Sequence, residues 1–181
     1  KELASNTIIP LLGSLPFVSN EEMDSGVLQS SKSNIVEALR GVRTALSYMK
    51  SDEGSQILMV TSIHPGEGKT FTSNNLASIY AKSGKKVVLI DFDLHKPKVH
   101  KVLGLDNTKG SSVFLSGNES IENIIQTGVE ENLDVITSGP VPPNASELML
   151  SDKVNEMFVY LKSKYDFIFI DTPPIGYISD G

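Results

Sequence analysis

The chain has 181 residues, 39% of them hydrophobic, with 16 Lys and Arg set against 22 Asp and Glu, a size and balance that suit one compact domain rather than two large ones. A net charge of −6 gives no general basic field for a nucleic-acid backbone, so no nucleic-acid partner is expected. The absence of Cys excludes disulfides, thiolate metal sites and a thiol nucleophile. Apolar runs such as Ile57-Leu58-Met59-Val60 fall far short of the ~20 residues of a membrane helix. The opening residues lack a signal-peptide pattern, and the expected setting is the cytoplasm.

Residues 1–31 are rich in Pro, Ser, Gly and acids, with one apolar knot from Ile8 to Pro16 broken by prolines; they read as a linker with a short docking strand. Residues 32–181 read as one domain. Ile35, Leu39, Val42, Leu46 and Met49 recur at helical spacing behind the candidate caps Ser33 and Asn34, which predicts an amphipathic helix over 33–50. Short runs rich in Val, Ile and Phe at 56–62, 86–92, 133–138 and 165–171 are expected strands, buried on both faces as in a parallel sheet. Helices are expected over 69–82, in shorter pieces around 112–115 and 121–127, and over 145–162. Asn144 and Glu147, three apart after a Pro-rich loop, suggest a capping box at the start of the last one. The alternation predicts an α/β doubly wound fold, a mostly parallel sheet in a three-layer, Rossmann-like arrangement with right-handed crossovers.

Directly after the first expected strand comes Ser62-Ile63-His64-Pro65-Gly66-Glu67-Gly68-Lys69-Thr70, followed by a helical run. This is the strand, glycine loop and helix order of a nucleoside-triphosphate site. Gly66 and Gly68 let successive amides point inward, the helix start adds its positive dipole end, Lys69 reaches the β- and γ-phosphates, and the Thr70 hydroxyl suits Mg²⁺. The nucleotide-binding candidates are Pro65, Gly66, Glu67, Gly68, Lys69, Thr70 and Phe71. A strict eight-residue loop has glycine where Ile63 stands. Such a loop needs carboxylates at the ends of neighbouring parallel strands. The run from Lys86 ends in Asp91-Phe92-Asp93, and the run from Tyr165 ends in Asp171-Thr172-Pro173-Pro174.

With these motifs the chain resembles the catalytic domain of bacterial tyrosine kinases of the capsular and exopolysaccharide type, related to the MinD and ParA branch of P-loop ATPases. The family pattern is Ser-x-x-Pro-Gly-x-Gly-Lys-Ser/Thr, here Ser62 to Thr70, then Asp-x-Asp-x-Arg, here Asp91 to His95, then Asp-x-x-Pro, here Asp171 to Pro174. The stretches from Gly139 to Leu148 and from Lys96 to Lys98 also look like family segments, and Ile63 in the loop is itself a family feature. The resemblance implies an ATP- and Mg²⁺-dependent protein-tyrosine kinase, using ATP and yielding ADP, that regulates polysaccharide chain synthesis and export. It gives Lys69 the phosphates, makes Thr70, Asp91, Asp93 and Asp171 the metal-site residues, the last through water, and makes Asp91 the group that activates the attacking phenol. Lys69, Asp91 and Asp93 are thus the expected catalytic residues. Where the family has Arg, this chain has His95, which replaces a fixed charge with a group titrating near pH 6.5 in its ordinary state. His64 and His100 have no metal-ligand spacing, so no zinc is expected.

In Glu37-Ala38-Leu39-Arg40-Gly41-Val42-Arg43, Glu37, Arg40 and Arg43 stand at steps of three along one stripe. The family uses this pattern to pack neighbours into a ring, which implies a homo-oligomer whose subunits phosphorylate one another's tyrosine-rich tails. The chain stops at Gly181, whereas family members continue to such a tail; either a fragment or a form without self-phosphorylation is expected. Tyr48, Tyr80, Tyr160, Tyr165 and Tyr177 make no acceptor cluster, and Tyr80, Tyr160 and Tyr165 are read as core or boundary residues. The segment Leu11-Leu12-Gly13-Ser14-Leu15-Pro16 is similar to the one joining a membrane-spanning polysaccharide co-polymerase domain to the kinase. It implies a cytoplasmic domain at the inner face of the plasma membrane. The alternatives are a MinD- or ParA-like ATPase switch, which carries a lysine early in the loop where this chain has Ile63 and His64, and a non-catalytic ATP-binding scaffold.

Overall fold

Alternation of apolar side chains along three buried strands divides the core into two layers, one on each face of the sheet. The computed structural model describes residues 9–17, 34–49 and 54–176. The expected cap Ser33, most of the 1–31 segment and Tyr177 with the residues after it lie outside the described residues. Strands β1 (Gln56–Val60), β2 (Val87–Asp91), β3 (Ile125–Glu130), β4 (Leu133–Ile136) and β5 (Phe167–Asp171) form one sheet in the order β1-β5-β2-β4-β3. All pairings are parallel except β3 with β4. Val87, Leu89, Leu133, Val135 and Phe169 face one layer, and Val88, Ile90, Ile136, Ile168 and Ile170 face the other.

Helix α1 (Asn34–Met49) and helix α2 (Lys69–Ala81) cover the first face. Ile35, Val36 and Leu39 of α1 are buried. Phe71, Leu76, Ala77, Ile79, Tyr80 and Ala81 of α2 are buried as well, which is what a helix enclosed on most sides requires. Tyr80 stacks obliquely on Phe167 and Phe169, with ring centroids 4.4 Å and 5.4 Å apart. Helix α3 (Val99–Leu103) also joins the first layer through Val99, while over the other face lie α4 (Ser111–Leu115), α5 (Ala145–Met149) and α6 (Asp152–Lys162), which contribute Phe114, Leu115, Leu148, Met157 and Leu161 to the second layer. Leu15 packs against the first layer without forming a strand, so the expected docking segment is seated but has no ladder.

Several expectations are corrected. The helix expected over 145–162 is two helices, because the chain turns at Leu150 and restarts at Ser151 in an extended conformation, φ −73° and ψ 154°. The Asn144 side chain caps no backbone amide and donates instead to Glu147 Oε2 at 3.2 Å. The helical piece expected over 121–127 is a single 3₁₀ turn at Glu122–Ile124 running into the unexpected strand β3. Strand β1 is an edge, not buried on both faces, and Ile57 and Met59 are exposed. Helix α3 was not expected.

One glycine fixes the packing between β2, β4 and α4. A Cβ on Gly110 would lie 2.2 Å from Thr137 O and 2.3 Å from Gly139 N. Both are backbone atoms, and they are held by Ser111 N donating to Thr137 O at 2.8 Å and by Gly139 N donating to Asn107 Oδ1 at 2.9 Å. Gly110→Ala is expected to cost ~3 kcal/mol or more, at or above the usual range for overpacking. Urea unfolding with an unchanged slope and a lowered midpoint checks it.

Candidate nucleotide and metal site

Parallel register places the acidic strand ends side by side. Asp91 pairs with Asp171 across β2 and β5, and Asp171 pairs with Val60 across β5 and β1. Adjacent strands stand ~4.8 Å apart, and both acids continue the Val87-Leu89 and Phe169 side of their strands, the face covered by α2. The loop from Thr61 to Gly68 leaves β1 at this same end and delivers Lys69 and Thr70 at the start of α2. Gly66 has φ +83° and Gly68 φ +86°, values that side chains rarely adopt, and Gly68 ends the loop at the N-cap position of α2. Amides from this turn and the free N–H groups of the first turn of α2 make an anion cradle.

The loop is braced from two directions. Ile63 N and His64 N both donate to Glu67 Oε2, at 3.0 and 3.1 Å, and Ser62 Oγ donates to His64 O at 2.8 Å. The Glu67 side chain thus holds the loop's own amides, and its contribution to phosphate binding is confined to the backbone. From the other side, Thr172 Oγ1 donates to Val60 O at 3.0 Å, Ile175 N to Ser62 O at 2.8 Å and Gly176 N to Ile63 O at 3.2 Å. These braces were not legible beforehand, except that Thr172 follows the motif acid directly. The Phe71 side chain, 5% exposed, belongs to the core.

Thr70 Oγ1 donates to Asp171 Oδ2 at 2.7 Å. Asp171 is almost fully buried, and its Oδ1 has no hydrogen-bond partner. Burial first of all pushes its carboxyl up to about 6, with Asp93 adding to the rise, while the Thr70 hydroxyl and the Lys69 charge hold it lower. Asp91 is fully buried. Its Oδ1 accepts from Asp93 N at 3.1 Å and its Oδ2 from Val99 N at 3.2 Å. Burial and the neighbouring Asp171 raise it to about 7 against the pull of those two amides. Asp93, half-buried, accepts His95 N at 3.2 Å and Lys96 N at 2.9 Å. The structure therefore brings Lys69, Thr70, Asp91, Asp93 and Asp171 to one crevice, where each oxygen of Asp91 accepts one backbone amide. Its oxygens hold the turn that leads into α3.

A magnesium ion fits these residues. An orphaned carboxylate oxygen, a hydroxyl and clustered acids whose charges repel one another are the hard oxygen donors that such a cation favours. Among the described residues no group of three or more His, Cys, Asp or Glu converges as a ready cage. His64 and His95 are exposed.

Away from the crevice, the α1 stripe makes local contacts. Arg40 Nη1 pairs with Glu37 Oε1 at 2.5 Å, and Arg43 Nη1 makes a long bond to Ile79 O on α2, at 3.5 Å. Glu37 and Arg40 are exposed and Arg43 is half-buried.

Comparison with known proteins gives a consistent result. A family model described as an AAA domain matches residues 55–178. The tyrosine-protein kinase YwqD of Bacillus subtilis is 43% identical over 144 residues, covering 80% of this chain and 61% of that protein. The tyrosine-protein kinase etk of Escherichia coli K12 is 34% identical over 99% of this chain, which spans 24% of its length. The crystallised kinase domain of Escherichia coli ETK superposes with a TM-score of 0.84 at 30% identity, over 96% of this chain and 71% of that one. The septum site-determining protein MinD of Pyrococcus horikoshii, complexed with Mg-ADP, is more distant, with a TM-score of 0.56 at 32% identity over 66% of this chain and 49% of that one.

The acids give the site a definite pH response. Both Asp91 and Asp171 titrate above an ordinary carboxyl, near 7 and 6 against 3.8. At these two positions the folded state therefore binds protons more tightly, and the stability they contribute is full below about pH 4 and is lost as pH rises through 6 to 7. Without nucleotide, the melting temperature is expected to decline from pH 5 to pH 8. Asp91→Asn is expected to flatten that decline. A wild-type profile that rises over the same window contradicts the assignment.

Proposed function

This chain belongs to the P-loop domain family of bacterial tyrosine kinases, and from that premise we propose that it transfers the γ-phosphoryl group of ATP to tyrosine hydroxyls, in a protein that regulates capsular or exopolysaccharide synthesis. The observation that carries the reading is the meeting of Lys69, Thr70 and the paired acids Asp91 and Asp171 at one end of the sheet. In this reading the amides of Gly66 to Thr70 cradle the phosphates, and Lys69 offsets charge that develops on the transferred group. Thr70, Asp93 and Asp171 hold the magnesium ion, with Asp91 behind them. When bound, the ion supplies charge neutralisation and fixes the phosphate oxygens in place. Asp91 is the proposed proton acceptor for the phenol, since a carboxyl raised to about 7 is matched to general-base work near neutral pH.

A MinD-like switch is disfavoured because Ile63 and His64 occupy the early loop positions where that branch carries a lysine. As the chain spans less than two thirds of the curated relatives named above, the whole-protein context is likewise our proposal. Residues 32–181 form the kinase domain, tethered through the 1–31 segment to a membrane-spanning co-polymerase at the inner face of the plasma membrane. No helix among the described residues is long and apolar enough to cross a membrane. Subunits assemble through Glu37, Arg40 and Arg43, and each phosphorylates the tyrosine-rich tail of a neighbour.

Two measurements test this. With labelled ATP and a tyrosine-rich tail, the wild-type domain forms phosphotyrosine, and Lys69→Ala lowers the rate by ~10²–10³-fold, the scale of losing one preorganised electrostatic contact. No phosphotyrosine from the wild type, or full turnover by the variant, refutes the assignment. Replacing Arg40 and Arg43 together by Ala is expected to leave ATP affinity within about twofold, since surface pairs contribute little within the chain, and to reduce the mass seen by light scattering to that of the monomer.

A further inference from the structure

The turn after β2 carries a concentration of positive charge that the phosphoryl-transfer chemistry does not use. Lys96, Lys98 and Lys101 fall within six residues of a chain whose net charge is −6; among them burial and the Lys101 charge push the His100 imidazole below its ordinary pKa, so the charge of the strip is that of the lysines. His95, Lys96, Lys98 and Lys101 are exposed, and His100 is partly so. Between them Val99 is fully buried and anchors α3 in the first layer. The cations therefore point outward from a fixed base. That base is built on the acids of the crevice: Val99 N is held by Asp91 Oδ2, and His95 N and Lys96 N by Asp93 Oδ1. The basic turn is thus bonded directly to the mouth of the site.

Elsewhere on the surface Lys82, Lys109 and Lys153 each pair with a glutamate, while the exposed Lys85 and Lys86, at the far end of β2 from the crevice, make no ion pair among the described residues. Among the described residues neither Lys98 nor Lys101 has a carboxylate within ion-pair distance. The phosphates of the nucleotide already have their cradle in the loop and Lys69, so these lysines are left for something else that is anionic and approaches the same crevice. The strip is short, and the molecule around it is acidic, which disfavours an extended polyanion and suits a few carboxylates on a flexible segment.

We propose that the turn from His95 to Lys101 is the docking surface for acidic residues flanking the acceptor tyrosine, so that the substrate class is an acidic, tyrosine-bearing peptide segment. This rests on the kinase reading and adds the specificity determinant to it. The three acids of the crevice repel such a segment until a cation offsets them, so acceptor binding is expected to need magnesium and nucleotide together. Being electrostatic and exposed, the contact is expected to weaken as ionic strength rises.

The test uses three labelled peptides of equal length, with tyrosine flanked by Asp and Glu, by Ser and Gly, or by Lys. Their binding to the full chain is followed by fluorescence anisotropy with Mg-ADP present. The acidic peptide is expected to bind about tenfold more tightly than the neutral one, a difference typical of charge complementarity at an interface rim. The pair Lys98→Glu with Lys101→Glu should abolish that preference. The charge-matched pair Lys85→Glu with Lys86→Glu, at the opposite end of β2, should keep it. Equal affinity for all three peptides, or equal losses in both double variants, overturns the proposal. So does a result in which the turn variants lose only binding to phosphatidylserine vesicles, which would give the strip to a membrane instead. Phosphoryl transfer read in parallel separates the two claims: acidic-peptide binding without transfer sinks the kinase reading alone, and transfer indifferent to flanking charge sinks this one alone.

Discussion

Strand register is the constraint on which the rest of the structure depends. Asp91 and Asp171 end two neighbouring parallel strands at the same level, and Val60, next in that row, releases the chain into the glycine loop. A slip of one residue in either pairing would turn a carboxylate toward the opposite layer and bury it among Ile90, Ile136 and Ile170. The apolar pattern that holds the register is the same alternation that fills the two layers. Core packing and site geometry are therefore one requirement, met by one arrangement of the strands.

The cost of that arrangement is electrostatic. Two carboxyls at adjacent strand ends are nearly closed off from water, which raises their proton affinity; Asp171 adds to the rise at Asp91, and Asp93 to the rise at Asp171. Thr70, Lys69, Ser73 and a few backbone amides oppose the effect. Like charges gathered without a neutralising partner destabilise the folded chain and favour a cation. The orphaned Asp171 Oδ1 expresses the same imbalance at a single atom. A site of this kind is poised to exchange instability for ligand binding. The turn after β2 draws on the same acids, because Asp91 and Asp93 spend their hydrogen bonds on Val99, His95 and Lys96.

Much of this was legible in the sequence, and the limits have physical causes. The buried strands β2, β4 and β5 announce themselves as continuous Val, Ile and Phe runs, and the glycine loop names its own role through Gly68-Lys69-Thr70 after a strand. β3 escaped notice because Ile121, Ile124 and Ile125 have helical spacing, whereas the strand is made by antiparallel pairing to β4, with an irregular register between Gln126 and Glu130. The break at Ser151 is carried by backbone conformation inside an unbroken amphipathic pattern. Asp91 was placed correctly at a strand end, yet nothing local shows that Val99, eight residues on, would take one of its oxygens. A side chain that acts on distant backbone, such as Thr172 on β1, depends on tertiary closure that no sequence window contains.

A crystal structure with Mg-ADP is the decisive measurement. The diphosphate is expected on the amides from Gly66 to Thr70, with a metal that draws the Thr70 hydroxyl out of its 2.7 Å bond with Asp171. A nucleotide bound elsewhere, with that bond intact and no metal among the three acids, would contradict the assignment.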